Sequence, residues 1–200
     1  MKKFFAVLIA AVMVFTFGQS AAFAQGKILV AYFSRVGEEY GLGVIKKGNT
    51  AIVAEIISQK LGADLFEIKP IKSYPVSYDE CTKIASREKA QNARPELATR
   101  VDNFADYDTI FVGSPVWWGD AAMPVYTFLE SYDFAGKNIV PFVTHGGSGL
   151  SGIDQRFALV CPNSKILQGF AISGRTAQKN FSETDSKVTD WLKKINFLKQ

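Results

Sequence analysis

The sequence predicts one α/β domain of three layers, a doubly wound five-stranded parallel sheet with helices on both faces. Three observations carry that expectation. Short apolar runs alternate five times with segments of helical period, and strands that are apolar throughout belong to sheets covered on both sides. No repeat, low-complexity tract or interdomain linker interrupts the 200 residues. Several apolar runs also pass directly into glycine- and hydroxyl-rich stretches, and parallel sheets bind ligands beyond the carboxyl ends of their strands.

Residues 1–24 stand apart from this pattern. Lys2 and Lys3 precede an apolar run from Phe4 to Phe17, and "SAAFA" ends with the small-residue spacing of a cleavage site. The reading is a secretory signal peptide removed after Ala24, which leaves residues 25–200 as the domain. The run is shorter than the ~20 residues that span a bilayer, so no stable membrane insertion is expected after cleavage. No cysteine follows to take a lipid, and no twin arginine is present. The general secretion route and a periplasmic or extracellular location follow.

The elements then run in order. "KILVAYF" (27–33) is a continuous apolar strand. "TAIVAEIISQKLG" (50–62) places Val53, Ile57 and Leu61 at helical spacing and stops at Gly62. "ADLFEIK" (63–69) is the second strand. After it, "SYPVSYDECTKIASREKAQNARPEL" predicts an additional, strongly charged helix, with Tyr78 or Glu80 either bordering a pocket or simply exposed. "DTIFVGSP" (108–115) is the third strand and "MPVYTFLESY" its helix. "KNIVPFVTH" (137–145) and "GLSGIDQRFALVCP" repeat the pair. "SKILQGFAI" is the last strand, and "ETDSKVTDWLKKINFL" the closing amphipathic helix.

Composition excludes several function classes. The formal charge of +4 includes Lys2 and Lys3; such a mildly basic chain, without basic-aromatic motifs, gives no case for nucleic acid. Cys81 and Cys161 are the two cysteines, too few for a disulfide framework. They fall near opposite ends of the expected sheet, so two free thiols are expected. A single histidine and no Cys/His cluster leave no metal site.

Three corners at the carboxyl end of the sheet remain. The first is "YFSRVGEEYGLGVIKKGNT" (32–50), where Ser34 and Arg35 leave a strand and Gly48, Asn49, Thr50 and Ala51 open a helix. Helix N-termini hold phosphate through free amides and the dipole; plain capping by Asn49 or Thr50 is the alternative. The second is "GSPVWWGDAAMP" (113–124), with Pro115, Val116, Trp117, Trp118 and Gly119. Consecutive tryptophans cannot share one face of a strand, so one of them offers a ring for stacking, unless both cover the sheet end. The third is "THGGSGLSG" (144–152), where His145, Gly146, Gly147, Ser148 and Gly149 allow a ligand close to the backbone. A flexible turn is its alternative.

Taken together, the corners suit a flat aromatic ligand carrying a phosphate, and here the chain resembles the flavodoxin-like proteins. "YFSR…GNT" is similar to the family's phosphate loop, "PVWWGD" to its first ring-contacting loop, and "THGGSGLSG" to the second. The resemblance implies FMN as cofactor and a strand order of 2-1-3-4-5. It implies cofactor contacts at the residues named in the three corners, and a switching peptide at Gly119. One departure is plain: Ser34 and Thr50 are sixteen positions apart, so a segment from about Gly37 to Lys47 is inserted into the phosphate loop. It is expected to loop out over the cofactor or substrate entrance, with Lys47 or Arg35 in reach of the phosphate. A second departure is the segment after the second strand, "SYPVSYDECTKIASREKAQNARPEL", with its additional charged helix; the slightly basic charge also differs from the strongly acidic classical members.

Three functions are consistent with these residues. The first is an exported FMN-binding electron-transfer protein, a one-electron carrier that serves a redox partner protein or a small-molecule acceptor. The second is an FMN-dependent reductase of quinones or other small acceptors, with His145 as proton donor. The third is a flavin-binding module without redox turnover.

Overall fold

The computed structural model describes residues 26–199; the signal-peptide reading lies outside the described residues. Five parallel strand positions form the sheet. β1 (Lys27–Tyr32) lies between β4 (Asp64–Glu67) and β5 (Tyr107–Trp117), and β5 lies beside β7 (Asn138–His145). The edge position is shared by β8 (Lys165–Ile166) and β9 (Phe170–Ser173), both parallel to β7. This is the implied order, with the last strand broken in two.

The break has a cause in sequence. Leu167 donates its N–H to the Ile139 carbonyl at 2.9 Å, so Ile139 and, two residues on, Pro141 turn their polar groups to the same edge. Pro141 has no N–H to offer there. The register also slips by one residue, from Ile139 opposite Ile166 to Phe142 opposite Phe170. Leu167–Gly169 therefore bulge away instead of continuing the strand expected across 164–172.

Alternation along β1 feeds two cores. Leu29, Ala31 and Phe33 face α3 (Met123–Glu130) and α4 (Ile153–Val160), where Phe128 and Phe157 are fully buried. Ile28, Val30 and Tyr32 face α1 (Asn49–Leu61) and α6 (Phe181–Lys194), against Ile57, Val188 and Leu192. Gly113 leaves no room for a side chain, since a Cβ there would lie 2.2 Å from the Phe142 ring. The α1 helix ends as expected at Gly62, in the left-handed conformation that glycine adopts without strain. The charged segment after β4 forms α2 (Tyr78–Ala90), capped by Ser77 through the Glu80 amide.

Several short elements were not anticipated. A six-residue helix, α5 (Gly174–Lys179), precedes α6. The insertion after Arg35 is an antiparallel hairpin, β2 (Gly37–Glu39) with β3 (Gly43–Ile45). Cys81 and Cys161 are buried free thiols, on α2 and at the end of α4. Among the described residues no helix is long and apolar enough to cross a membrane.

Candidate functional site

The carboxyl ends of β5, β7 and β9 and the start of α1 open onto one groove of about 220 Å³. It is lined by Asn49, Pro115–Trp117, Thr144–Gly146 and Ser173–Arg175, with Glu39, Tyr40 and Leu42 of the hairpin along its rim. A second cavity of about 280 Å³ adjoins it, sharing Glu39, Tyr40, Val116, Trp117 and Gly146. All three expected corners contribute to this face.

At the first corner the two halves of the interrupted loop close on each other. Ser34 Oγ accepts a hydrogen bond from the Ala51 amide at 3.1 Å, and a Cβ on Gly48 would lie 2.1 Å from that same oxygen. Gly48 thus lets the strand exit and the helix entrance touch. The cap of α1 comes from Ser34, far away in sequence, and not from Asn49 or Thr50. Thr50 Oγ1 pairs with Thr144 Oγ1 at 2.8 Å; two hydroxyls sharing one bond leave one proton for a ligand. Asn49 Oδ1 is buried with no hydrogen-bond partner. The first amides of α1 have no partner within the helix and lie at its positive end.

Arg35 and Lys47, the cations expected to reach a phosphate, are committed elsewhere. The Arg35 guanidinium donates to the carbonyls of Pro75 at 2.9 Å and Val76 at 3.2 Å, and also to that of Glu38. Lys47 is paired with Glu55. Only the Arg35 backbone stays beside Gly48. A guanidinium that binds four carbonyl oxygens is a structural clip, and it fastens the inserted hairpin to the loop before α2. The Glu38 amide adds a bond to the Val76 carbonyl at 2.8 Å, and Glu38 Oε2 accepts from the Tyr78 amide at 3.0 Å. Arg175 reaches the Gly41 carbonyl from the far side at 3.4 Å. The insertion therefore lies across the strand ends, between α2 and α5.

At the second corner the tryptophans divide the two roles open to them. Trp117 is half-buried, edge-on to Phe33 and Tyr74 with ring centroids 5.3 and 4.9 Å away. Trp118 is 59% exposed. Trp118 and Gly119, at φ 53° and 73°, form the two-residue turn between Val116–Trp117 and β6 (Asp120–Ala121). Positive φ at both positions is the turn that suits a hairpin, although a bulky residue at the first is strained. Two bonds hold it: Trp118 Nε1 donates to the Thr82 carbonyl at 2.9 Å, and Lys89 Nζ donates to the Trp118 carbonyl at 2.6 Å. Below the turn, buried Asp120 accepts from Tyr126 Oη at 2.5 Å and lies 3.5 Å from the Arg156 guanidinium. Burial, then the Asp120 bond, pushes the Tyr126 phenol well above its usual range.

The third corner is looser. His145 Nδ1 accepts from the Gly147 amide at 2.9 Å, and burial lowers the pKa of the imidazole. Ser151 Oγ donates to the Ser148 carbonyl at 3.3 Å. Gly146, Gly147 and Ser148 are exposed.

A fourth corner, Ser173–Arg175, was missed. It follows the short β9 as the apolar edge strand ends in "ISGR", and only that pattern of a strand followed by serine and glycine could have signalled it. Of the expected pair on α2, Tyr78 borders the adjoining cavity, while Glu80 is exposed. Among the described residues no cluster of His, Cys, Asp and Glu could hold a metal ion.

Comparison with known proteins agrees with this geometry. A family model described as Flavodoxin matches residues 27–195. A crystal structure of a protein assigned as a flavoprotein from Bacteroides uniformis is 30% identical, with a TM-score of 0.67, covering 84% of this chain and 98% of that one. Another so assigned, from Bacteroides eggerthii, is 28% identical with a TM-score of 0.68, covering 86% and 98%. A flavoprotein from Lactobacillus acidophilus, crystallised in complex with FMN, shares the fold at 23% identity and a TM-score of 0.60, covering 83% and 98%. Among curated proteins none matches.

Proposed function

The chain belongs to the flavodoxin family, and from that premise we propose that it binds FMN and carries single electrons outside the cytoplasm. The observation that carries this reading is the closed cradle: Ser34 Oγ on the Ala51 amide despite the hairpin between them. The residues present fit a phosphate. Asn49 has a buried, unpartnered amide oxygen, and turning that amide over presents its NH₂ group to an anion. Gly48 leaves no room for a side chain, so an anion meets backbone and hydroxyls directly.

Bound there, FMN supplies the redox chemistry, and the protein supplies position and electrostatics. Ser34, Asn49, Thr50 and the first amides of α1 hold the phosphate without a cation, since Arg35 and Lys47 are engaged elsewhere. Trp117 is braced by two rings and orients the flat moiety. Gly119 stands at φ 73° with no side chain to oppose a turn of its peptide, and a carbonyl turned toward a ligand N–H would favour the one-electron state.

A reductase of small acceptors is the second reading, and the cavity adjoining the groove favours it. Stepwise reduction of the purified, FMN-loaded protein separates the two. A long-wavelength absorbance that rises and then falls is the result expected of a one-electron carrier. A direct passage from oxidised to fully reduced cofactor supports the reductase, and failure to bind FMN overturns both. Because a chain secreted unfolded leaves cofactor behind, FMN-free protein is expected to fold and to take up FMN reversibly. Apoprotein that is unfolded and not rescued by FMN contradicts export by that route.

A further inference from the structure

The additional helix α2 reaches both tryptophans of the second corner. To Trp118 it is bonded directly, through the Thr82 carbonyl and Lys89. To Trp117 it is linked through a side chain of the loop before it. Glu88, half-buried on α2, accepts a hydrogen bond from Tyr74 Oη at 2.6 Å. The Tyr74 ring stands edge-on to Trp117, with centroids 4.9 Å apart, and edge-on to Phe33 at 5.5 Å. Trp117 in turn lines the groove, which Glu88 and Tyr74 do not. One line of contacts therefore runs from α2, outside the groove, to its aromatic wall.

Tyr74 has little else to fix it. Its loop is tied on either side, by the Ile71 amide on the Glu96 carbonyl and by the Arg35 guanidinium on the Pro75 and Val76 carbonyls. Between these ties Lys72, Ser73 and Tyr74 make no backbone hydrogen bond among the described residues. A bond to a carboxylate is short, charge-assisted and directional, so it fixes the turn of the ring more firmly than edge-on contacts do. Burial pushes the Tyr74 phenol well above its usual range, and it stays a donor. Burial also raises the Glu88 pKa, while the Tyr74 bond, Arg87 and Lys72 oppose that rise. A carboxyl group drawn partly out of water needs a partner, and Tyr74 is the hydrogen-bond partner Glu88 has among the described residues.

We propose that Glu88 is a positioning residue for the flavin ring: through the Tyr74 hydroxyl it holds Trp117 in place at the wall of the groove. That the flavin lies against Trp117 rests on the function proposed above; the hold of Glu88 on Trp117 does not.

Titration of FMN-free protein with FMN and with riboflavin tests this in Glu88→Ala, Tyr74→Phe and Glu88→Gln. The first two are expected to weaken both ligands alike, by about fivefold, because the ring and not the phosphate is affected. Glu88→Gln keeps an acceptor oxygen and is expected to stay within about twofold of the wild type. In a Trp117→Leu background neither Glu88→Ala nor Tyr74→Phe is expected to weaken binding further, since residues that act as one unit are not additive. Near-UV circular dichroism of the FMN-free protein is the second measurement. The part of the tryptophan signal that Trp117→Leu removes is expected to diminish in Glu88→Ala and Tyr74→Phe and to return in Glu88→Gln. A loss of affinity that persists without Trp117, a loss that Glu88→Gln does not rescue, or an unchanged Trp117 signal overturns the proposal. If the wild type binds neither flavin, the functional reading falls, and the Trp117 signal still decides whether Glu88 holds that ring.

Discussion

The two loops that face the groove from β5 and β7 are built on opposite principles. The first, 116–121, is a closed hairpin: Val116 and Trp117 pair with Ala121 and Asp120, Trp118 is bonded twice to α2, and Asp120 is anchored on Tyr126 and Arg156. The second, 146–152, has four glycines and is held by local bonds to nearby residues, among them the Gly147 amide on His145 and Ser151 on the Ser148 carbonyl. One loop presents an aromatic wall whose place is fixed before any ligand arrives, and the other offers backbone that can adjust. The difference locates where strain is tolerated. Trp118 at positive φ is held by tertiary bonds, whereas in the second loop three glycines, Gly147, Gly149 and Gly152, take positive φ at little cost and Ser151, at φ 54°, is held through its carbonyl by Arg156. Arg156 links the two, since it donates to the Ser151 carbonyl at 2.7 Å as well as pairing with Asp120.

Breaking the stiff loop has the largest expected effect. Asp120→Ala strands the Tyr126 hydroxyl and the Ala121 amide in a buried place and is expected to cost about 3 kcal/mol in denaturant unfolding. An effect under about 0.5 kcal/mol, the level of ordinary surface substitutions, removes the reason to call this loop fixed. Gly119→Ala forces a Cβ residue to φ 73° and is expected to cost roughly 1–2 kcal/mol. It is also expected to suppress the long-wavelength intermediate absorbance while FMN stays bound; an unchanged reduction profile contradicts a mobile peptide at this position. Gly149→Ala, at φ 63° in open space, probes the loose loop. There the same strain can relax, so less than about 1 kcal/mol is expected, and a loss equal to that of Gly119→Ala erases the contrast.

The smallest effect comes from pH. Because burial lowers the His145 pKa from 6.5, its neutral form contributes stability that is present above about pH 6.5 and is lost as pH falls through the folded value. The protonated ring also loses Nδ1 as acceptor for the Gly147 amide. Protection of the Gly147 amide, its exchange rate measured against an unstructured peptide at the same pH, is expected to fall on acidification, with the 116–121 hairpin unaffected. Equal loss of protection in both loops sinks the assignment to His145.

Much of this was legible in sequence because it depends on local pattern. The apolar runs of β1, β5 and β7, the Gly62 stop and the three glycine- or tryptophan-marked corners all announce themselves within a few residues. What was not legible depends on partners distant in sequence. "KNIVPFVTH" shows its proline, but that Pro141 faces the last strand and breaks it follows only from the register. The insertion was expected as a loop because β2 and β3 have three residues each. They hold as a hairpin through Arg35, Val76 and Tyr78, none of which is part of it. The same clip explains why Arg35 was assigned to the phosphate on its position alone. Ser34 capping α1 from seventeen residues away left Asn49 and Thr50 as the obvious caps.

The central claim is that the interrupted loop is still a phosphate cradle. Titration of the mature apoprotein with FMN and with riboflavin, in the wild type and in Ser34→Ala, Thr50→Ala, tests it most directly. Charge-assisted hydrogen bonds to a dianion contribute about 1.5–3 kcal/mol each, so the double variant is expected to lose FMN affinity by at least about a hundredfold. Its riboflavin affinity is expected to change little. Equal losses for the two ligands would show that these hydroxyls only close the helix entrance, and that the phosphate is held elsewhere.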